Sequence, residues 1–170
     1  MNPALEFTIY YNKHKKKIFN YIFKMICNKI VSEDIVQNVF LKLYSNLKNI
    51  KNQGSIEYWL FTTTRNEIYS YLNKKRMKNE RFIDEDISEI YLKNDSEFQK
   101  ELDLREVKEL INEELDKLPV EQKEVFVLRE FSGMSYSEIA GLTNVEEKTV
   151  KSRLFKVRQK LIEKISKKIS

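Results

Sequence analysis

The sequence predicts an all-α chain in two small helical domains joined by an acidic linker. Three observations carry this. Only 3 Gly and 2 Pro occur in 170 residues, leaving little material for tight hairpins, while Leu, Ile, Lys and Glu dominate, as expected of helices. Apolar residues recur at spacings of three and four over long stretches. Charge is also partitioned along the chain, +9 over residues 1–82, −9 over 83–116 and +5 over 117–170. That pattern fits two basic modules that approach phosphates, with a connector that lies elsewhere.

In the first module Phe7, Tyr10, Tyr11, Ile18, Phe19, Ile22, Phe23 and Ile26 form an apolar stripe crossed by the polar run Asn12 to Lys17, which predicts one or two helices over 6–30. Ser32 followed by Glu33 and Asp34 reads as an N-cap with acids in the first turn. Ile35, Val36, Val39, Phe40, Leu43, Tyr44 and Leu47 then predict the next helix. Lys48 to Ser55 lacks periodicity and carries Asn, Gly and Ser, so it is a loop. A helix over about 56–75 follows, burying Ile56, Trp59, Leu60, Thr63, Ile68, Tyr71 and Leu72 and ending in the basic run Lys74, Lys75, Arg76.

Residues 84–96 are acidic without sustained period and predict a mostly extended linker. Helical spacing resumes from Glu97 through Leu115 and stops at Leu118-Pro119, because proline cannot continue a helix. The rest reads as three helices, roughly 120–131, 136–142 and 146–165.

The last two of these have the grammar of a helix-turn-helix. Ser135 with Glu138 forms a capping box, and Ile139, Ala140 and Leu142 face inward. Asn144 stands where the chain must enter the left-handed region, which Asn tolerates better than any residue but Gly. The final helix buries Val150, Leu154, Val157 and Leu161. Its opposite face offers Lys148, Thr149, Lys151, Ser152, Arg153, Lys156 and Arg158. Short hydroxyls and long cations on one helix suit major-groove reading combined with phosphate anchoring.

Other classes of function find little support. His14 and Cys27 are the lone members of their types; no Gly-rich phosphate loop, nucleophile–base constellation or cluster of metal ligands is written in the chain. No cofactor, metal or enzymatic activity is expected. Cys27 cannot form an internal disulfide, the amino terminus lacks the order of a secretory signal, and no apolar run approaches about 18 residues. A cytoplasmic protein without membrane insertion is expected.

The wording of these segments resembles a known family. Leu115 to Leu161, with Leu118-Pro119, Val125 to Phe131, Ile139-Ala140 and Thr149-Val150-Lys151-Ser152-Arg153-Leu154, is similar to the carboxyl-terminal region of bacterial sigma factors of the extracytoplasmic-function group. Ser32 to Phe40 resembles that family's polymerase-docking helix, and Tyr58-Trp59-Leu60 with Arg65-Asn66 its −10 helix.

The resemblance implies region 2 over 1–82, a linker over 83–105 and region 4 over 106–170. It implies core RNA polymerase, promoter DNA and an anti-sigma factor as partners. Asp34, Gln37, Asn38, Phe40 and Leu41 would meet polymerase. Lys48, Asn52, Arg65, Asn66, Tyr69, Asn73, Lys74 and Arg76 would meet the −10 element, and the seven residues of the last helix the −35 element. Family members commonly carry Asp where Ser70 stands, Arg near Asn73 and Gly in place of Lys148.

Residues alone leave two rivals open: a stand-alone helix-turn-helix regulator whose first half dimerises or senses a ligand, and an anti-activator that docks on polymerase without reading promoters. The acidic linker, with Asp84, Glu85, Asp86 and Glu89, is expected to mimic nucleic acid in a basic polymerase cleft.

Overall fold

The computed structural model describes residues 2–52, 54–81 and 99–169. Every regular element among them is helical: α1 Pro3–Ile26, α2 Lys29–Asn46, a 3-10 turn Leu47–Asn49, α3 Ser55–Arg81, α4 Gln99–Asp116, α5 Val120–Glu130, α6 Tyr136–Thr143 and α7 Glu147–Ile169. They fall into two compact units, α1–α3 and α4–α7. The expected extended linker over 84–96 lies outside the described residues. α4 takes up residues 99–105 of the stretch read as linker.

In the first unit Asn2 opens α1 by accepting from the Ala4 N–H at 3.0 Å, with Pro3 at the first helical position, where its missing N–H costs nothing. The polar run Asn12 to Lys17 does not interrupt the helix, so 6–26 is one helix. What stops it is Cys27, in the left-handed region at φ 58°, whose N–H donates to the Phe23 carbonyl at 2.8 Å.

Asn28 then caps α2, accepting from the Val31 N–H at 3.0 Å. The expected cap at Ser32 is therefore corrected. Ser32 sits inside the first turn, buried, with its hydroxyl donating to the Asn28 carbonyl at 2.6 Å.

The first core joins Ile18, Tyr21 and Ile22 of α1, Val39 and Leu43 of α2, and Ile56, Leu60, Phe61 and Ile68 of α3. Trp59 is only half-buried, against expectation; Phe61 and Thr64 fill the positions facing the core, because the buried stripe of α3 runs 56, 60, 61, 64, 68. Lys17–Glu57 at 2.9 Å ties α1 to α3, and Lys42–Glu67 ties α2 to α3. Both pairs are partly exposed, so apolar burial dominates the cohesion of this unit.

In the second unit Lys123 pairs with Asp116 at 2.7 Å across the proline corner between α4 and α5. Val125, Val127 and Leu128 of α5 pack with Leu115 of α4 and Ile139 of α6 into a core completed by Val150, Leu154, Val157 and Leu161, the four positions expected of α7. The capping box is formed: the Glu138 N–H donates to Ser135 Oγ and the Ser135 N–H to Glu138 Oε2, each at 3.1 Å. Asn144 sits at φ 56°, ψ 46°, as the turn requires. No described helix is long and apolar enough to cross a membrane.

Candidate nucleic-acid interface

With its apolar stripe buried, α7 must present the rest of its circumference outward. Lys148, Ser152 and Lys156 follow one another at four-residue intervals, as do Thr149 and Arg153 beside them. These five residues line a single shallow groove with Pro119, Glu121 and Gln122 at the start of α5 and Glu146 at the start of α7. Cations, hydroxyls and the N-terminal end of α5, with its partial positive charge, meet there. Such a surface accepts phosphates and offers donors to base edges.

The other two residues assigned to this helix lie elsewhere. Arg158 donates from Nη2 to Glu130 Oε1 at 2.8 Å, and Glu130, then the Tyr136 hydroxyl, raise its pKa above the ordinary value. Its position, two residues past Lys156, turns it toward α5 and α6 rather than into the groove. Lys151 is exposed with its ammonium 5.5 Å from the Tyr136 ring centroid.

On α3, Arg65, Asn66, Tyr69, Asn73 and Arg76 fall along one outward line, with the Arg65 guanidinium stacked 4.4 Å from the Tyr69 centroid. Lys74 is exposed but lies about 100° round the helix from Asn73. Lys48 is exposed in the preceding turn. Asn52 is also exposed, but its Oδ1 accepts from the Gly54 N–H at 3.0 Å and its carbonyl from the Ser55 N–H at 2.9 Å; it shapes the entry to α3. Tyr58, part of the motif that carries the −10 resemblance, and Met77, which the sequence pattern did not single out, are exposed at the two ends of the same line. Their spacing from Arg65 and Tyr69 was the available signal.

The outer face of α2 carries Asp34, Gln37, Asn38 and Leu41, all exposed. Ile30 and Tyr44 are exposed on the same line, at intervals of four, three, four and three through Asp34, Gln37 and Leu41. Three large apolar side chains, Ile30, Leu41 and Tyr44, thus face outward along one helix, of which the sequence pattern singled out Leu41 alone. Phe40 is corrected. It is 2% exposed and edge-on to Tyr11 of α1 at 4.9 Å, so in the free chain it is a core residue that holds α2 in place.

Among the described residues no group of His, Cys, Asp or Glu could hold a metal. His14 is 4% exposed beneath Tyr10, and Nδ1 has no hydrogen-bond partner. Burial lowers its pKa below the ordinary histidine value, against a raising effect of Glu57 and with the help of Lys13 and Lys17.

A helical unit with an outward aromatic and cationic line, followed by a second unit that ends in a helix-turn-helix, defines a two-part helical protein of the kind that handles nucleic acid. Comparison with known proteins identifies the family: the profile of sigma-70 region 2 matches residues 10–77 and that of sigma-70 region 4 matches 108–161. The chain belongs to the sigma-70 family, in its extracytoplasmic-function group, and is a sigma factor that directs promoter-specific transcription initiation.

It is 29% identical to the RNA polymerase sigma factor SigV of Bacillus subtilis over 84% of this chain and 81% of that protein. It is 26% identical to the ECF RNA polymerase sigma-E factor of Haemophilus influenzae over 88% of each. The fold is shared with the sigma factor RpoE of Bartonella quintana, solved in complex with the anti-sigma factor NepR, at a TM-score of 0.73 and 21% identity over 95% of this chain and 97% of that one.

Proposed function

We propose a division of labour among three helices. The outer face of α2, with Ile30, Asp34, Gln37, Leu41 and Tyr44, docks on the clamp of core RNA polymerase. The outward line of α3, from Tyr58 through Arg65, Asn66, Tyr69 and Asn73 to Arg76, captures the opened −10 element. Rings offer stacking surfaces for unpaired bases, amides read their edges, and cations follow the backbone. The groove face of α7, with Lys148, Thr149, Ser152, Arg153 and Lys156, lies on the −35 element. Lys151 reaches it from the α6 side.

The observation that supports this reading most is the gathering of five expected α7 residues in one groove, backed by four buried apolar positions on the same helix. Each unit alone binds weakly. Held together on one polymerase, they act at high effective concentration, so modest contacts at two elements combine into one promoter choice.

The protein is a non-catalytic subunit working in the cytoplasm, without cofactor. An anti-sigma factor is its regulator, by analogy with the Bartonella quintana protein. The acidic segment containing Asp84, Glu85, Asp86 and Glu89 occupies a basic channel of polymerase as a nucleic-acid mimic.

Run-off transcription with core polymerase tests the proposal. The purified chain must confer initiation on promoters that core polymerase ignores. Binding to promoter DNA without polymerase, or binding to polymerase without transcription, would favour a stand-alone regulator or an anti-activator instead.

A further inference from the structure

Tyr136, the first residue of α6, is surrounded by cations from two other helices. The Arg129 guanidinium of α5 stacks 4.4 Å from its ring centroid, and Arg129 is itself held by donating from Nη1 to the Met134 carbonyl at 2.8 Å. Arg158 of α7 pairs with Glu130 at 2.8 Å, and the neighbouring Tyr136 hydroxyl helps to raise its pKa. The Lys151 ammonium of α7 lies 5.5 Å from the same ring. One half-buried ring thus lies between the end of α5 and Lys151 of α7, with a guanidinium over it.

Three cations around one ring, with Glu130 the one carboxylate tied to them here, leave the cluster with an excess of positive charge. Their mutual repulsion is offset by the ring, which attracts Arg129 and Lys151, and by Glu130, which pairs with Arg158. Arg129 and Arg158 have protein oxygens to donate to. Lys151 is the exposed member, and its long stem would otherwise sample many rotamers, each of which must be frozen when a phosphate or base edge is bound.

From this geometry we infer that Tyr136 is a positioning residue for DNA binding: its ring, held by the Arg129 guanidinium over it, keeps the Lys151 ammonium ready for the −35 duplex. This rests on the reading that α7 contacts the −35 element. Tyr136 itself needs no contact with DNA; it lowers the ordering cost of the lysine that makes one.

A double-mutant cycle on the holoenzyme tests the inference. Core polymerase carrying the parent chain, Tyr136→Leu, Tyr136→Phe, Lys151→Ala or the Tyr136→Leu/Lys151→Ala pair is titrated with a promoter fragment at several salt concentrations. Tyr136→Leu should weaken binding roughly two- to tenfold, the range expected for releasing one ordered side chain. Tyr136→Phe, which keeps the ring, should bind as the parent does. In the Lys151→Ala background Tyr136→Leu should have no further effect, since its influence passes through that lysine.

Equal losses from Tyr136→Leu in both backgrounds, or a loss with Phe as large as with Leu, would overturn the inference. If Lys151→Ala alone binds like the parent with an unchanged salt slope, the −35 role of Lys151 fails first and the inference with it. Should Tyr136→Leu lose its cooperative melt, Arg129→Gln, which removes the guanidinium stacked on the ring, takes its place in the cycle with the same two outcomes.

Discussion

Leu41 and Leu43 stand two residues apart on α2, yet the structure assigns them opposite consequences on truncation. Leu43 is fully buried, and Leu43→Ala should cost about 2–5 kcal/mol of folding stability through lost transfer energy and a residual cavity. Leu41 is 60% exposed, so most of its side chain gains nothing from folding and remains available to a partner. Complete burial of a leucine side chain is worth roughly 1.5–3 kcal/mol, and the exposed part of Leu41 about 1–2 kcal/mol of that.

Leu41→Ala should therefore raise the dissociation constant for core polymerase by about five- to thirtyfold while leaving the melting curve unchanged. Pairing Gln37→Glu with Leu41→Glu should abolish co-purification, because charges would then be desolvated at the interface. Affinity is read by titrating labelled protein with core enzyme, and stability by thermal melts of the free chain. Unchanged affinity for Leu41→Ala would refute docking through this face. A collapse in its melting temperature would refute the burial argument beneath it.

Arg153→Ala and Lys156→Ala should each weaken −35 binding by about 1–3 kcal/mol if the side chain meets a base, or lower the salt slope by about one if it meets a phosphate; binding titrations across −35 variants and salt concentrations separate the two. Arg158→Ala should leave −35 sequence preference unchanged and lower stability by no more than about 1 kcal/mol, the usual worth of a partly exposed pair, as melts and promoter competition would show. The lowered pKa of buried His14 means that the unfolded chain binds its proton first on acidification. Stability intact above about pH 6.5 should fall as pH drops through the folded value, and His14→Leu should flatten that acid limb in melts between about pH 7.5 and 5.5.

The carboxyl-terminal half was legible because its signals are local. Ser135 with Glu138, Asn144 at the turn and the 150, 154, 157, 161 stripe each act within a few residues, and each is formed as read. The amino-terminal half was less so because competing local signals were resolved by tertiary packing. Ser32 with two acids after it imitates a cap, but Cys27 in the left-handed region ends α1 early and gives the cap to Asn28.

Trp59 and Tyr44 look like core in a one-dimensional pattern. Which side of a helix is covered depends on its neighbours, and α1 covers Phe40 while leaving Tyr44 half outside. The seven cations and hydroxyls of α7 were read as one face. Arg158 lies five residues past Arg153, about 140° round the helix, so it emerges toward Glu130 and not beside Arg153.

Central to the account is that α3 and α7 read separate promoter elements. The most direct measurement selects active promoters from a library randomised at both elements, using holoenzymes with the parent chain, Asn73→Ala on α3 or Arg153→Ala on α7. Asn73→Ala should relax preferences at −10 positions alone, and Arg153→Ala at −35 positions alone. Changes spread equally over both elements by either variant, or preferences identical to the parent's for both, would contradict it.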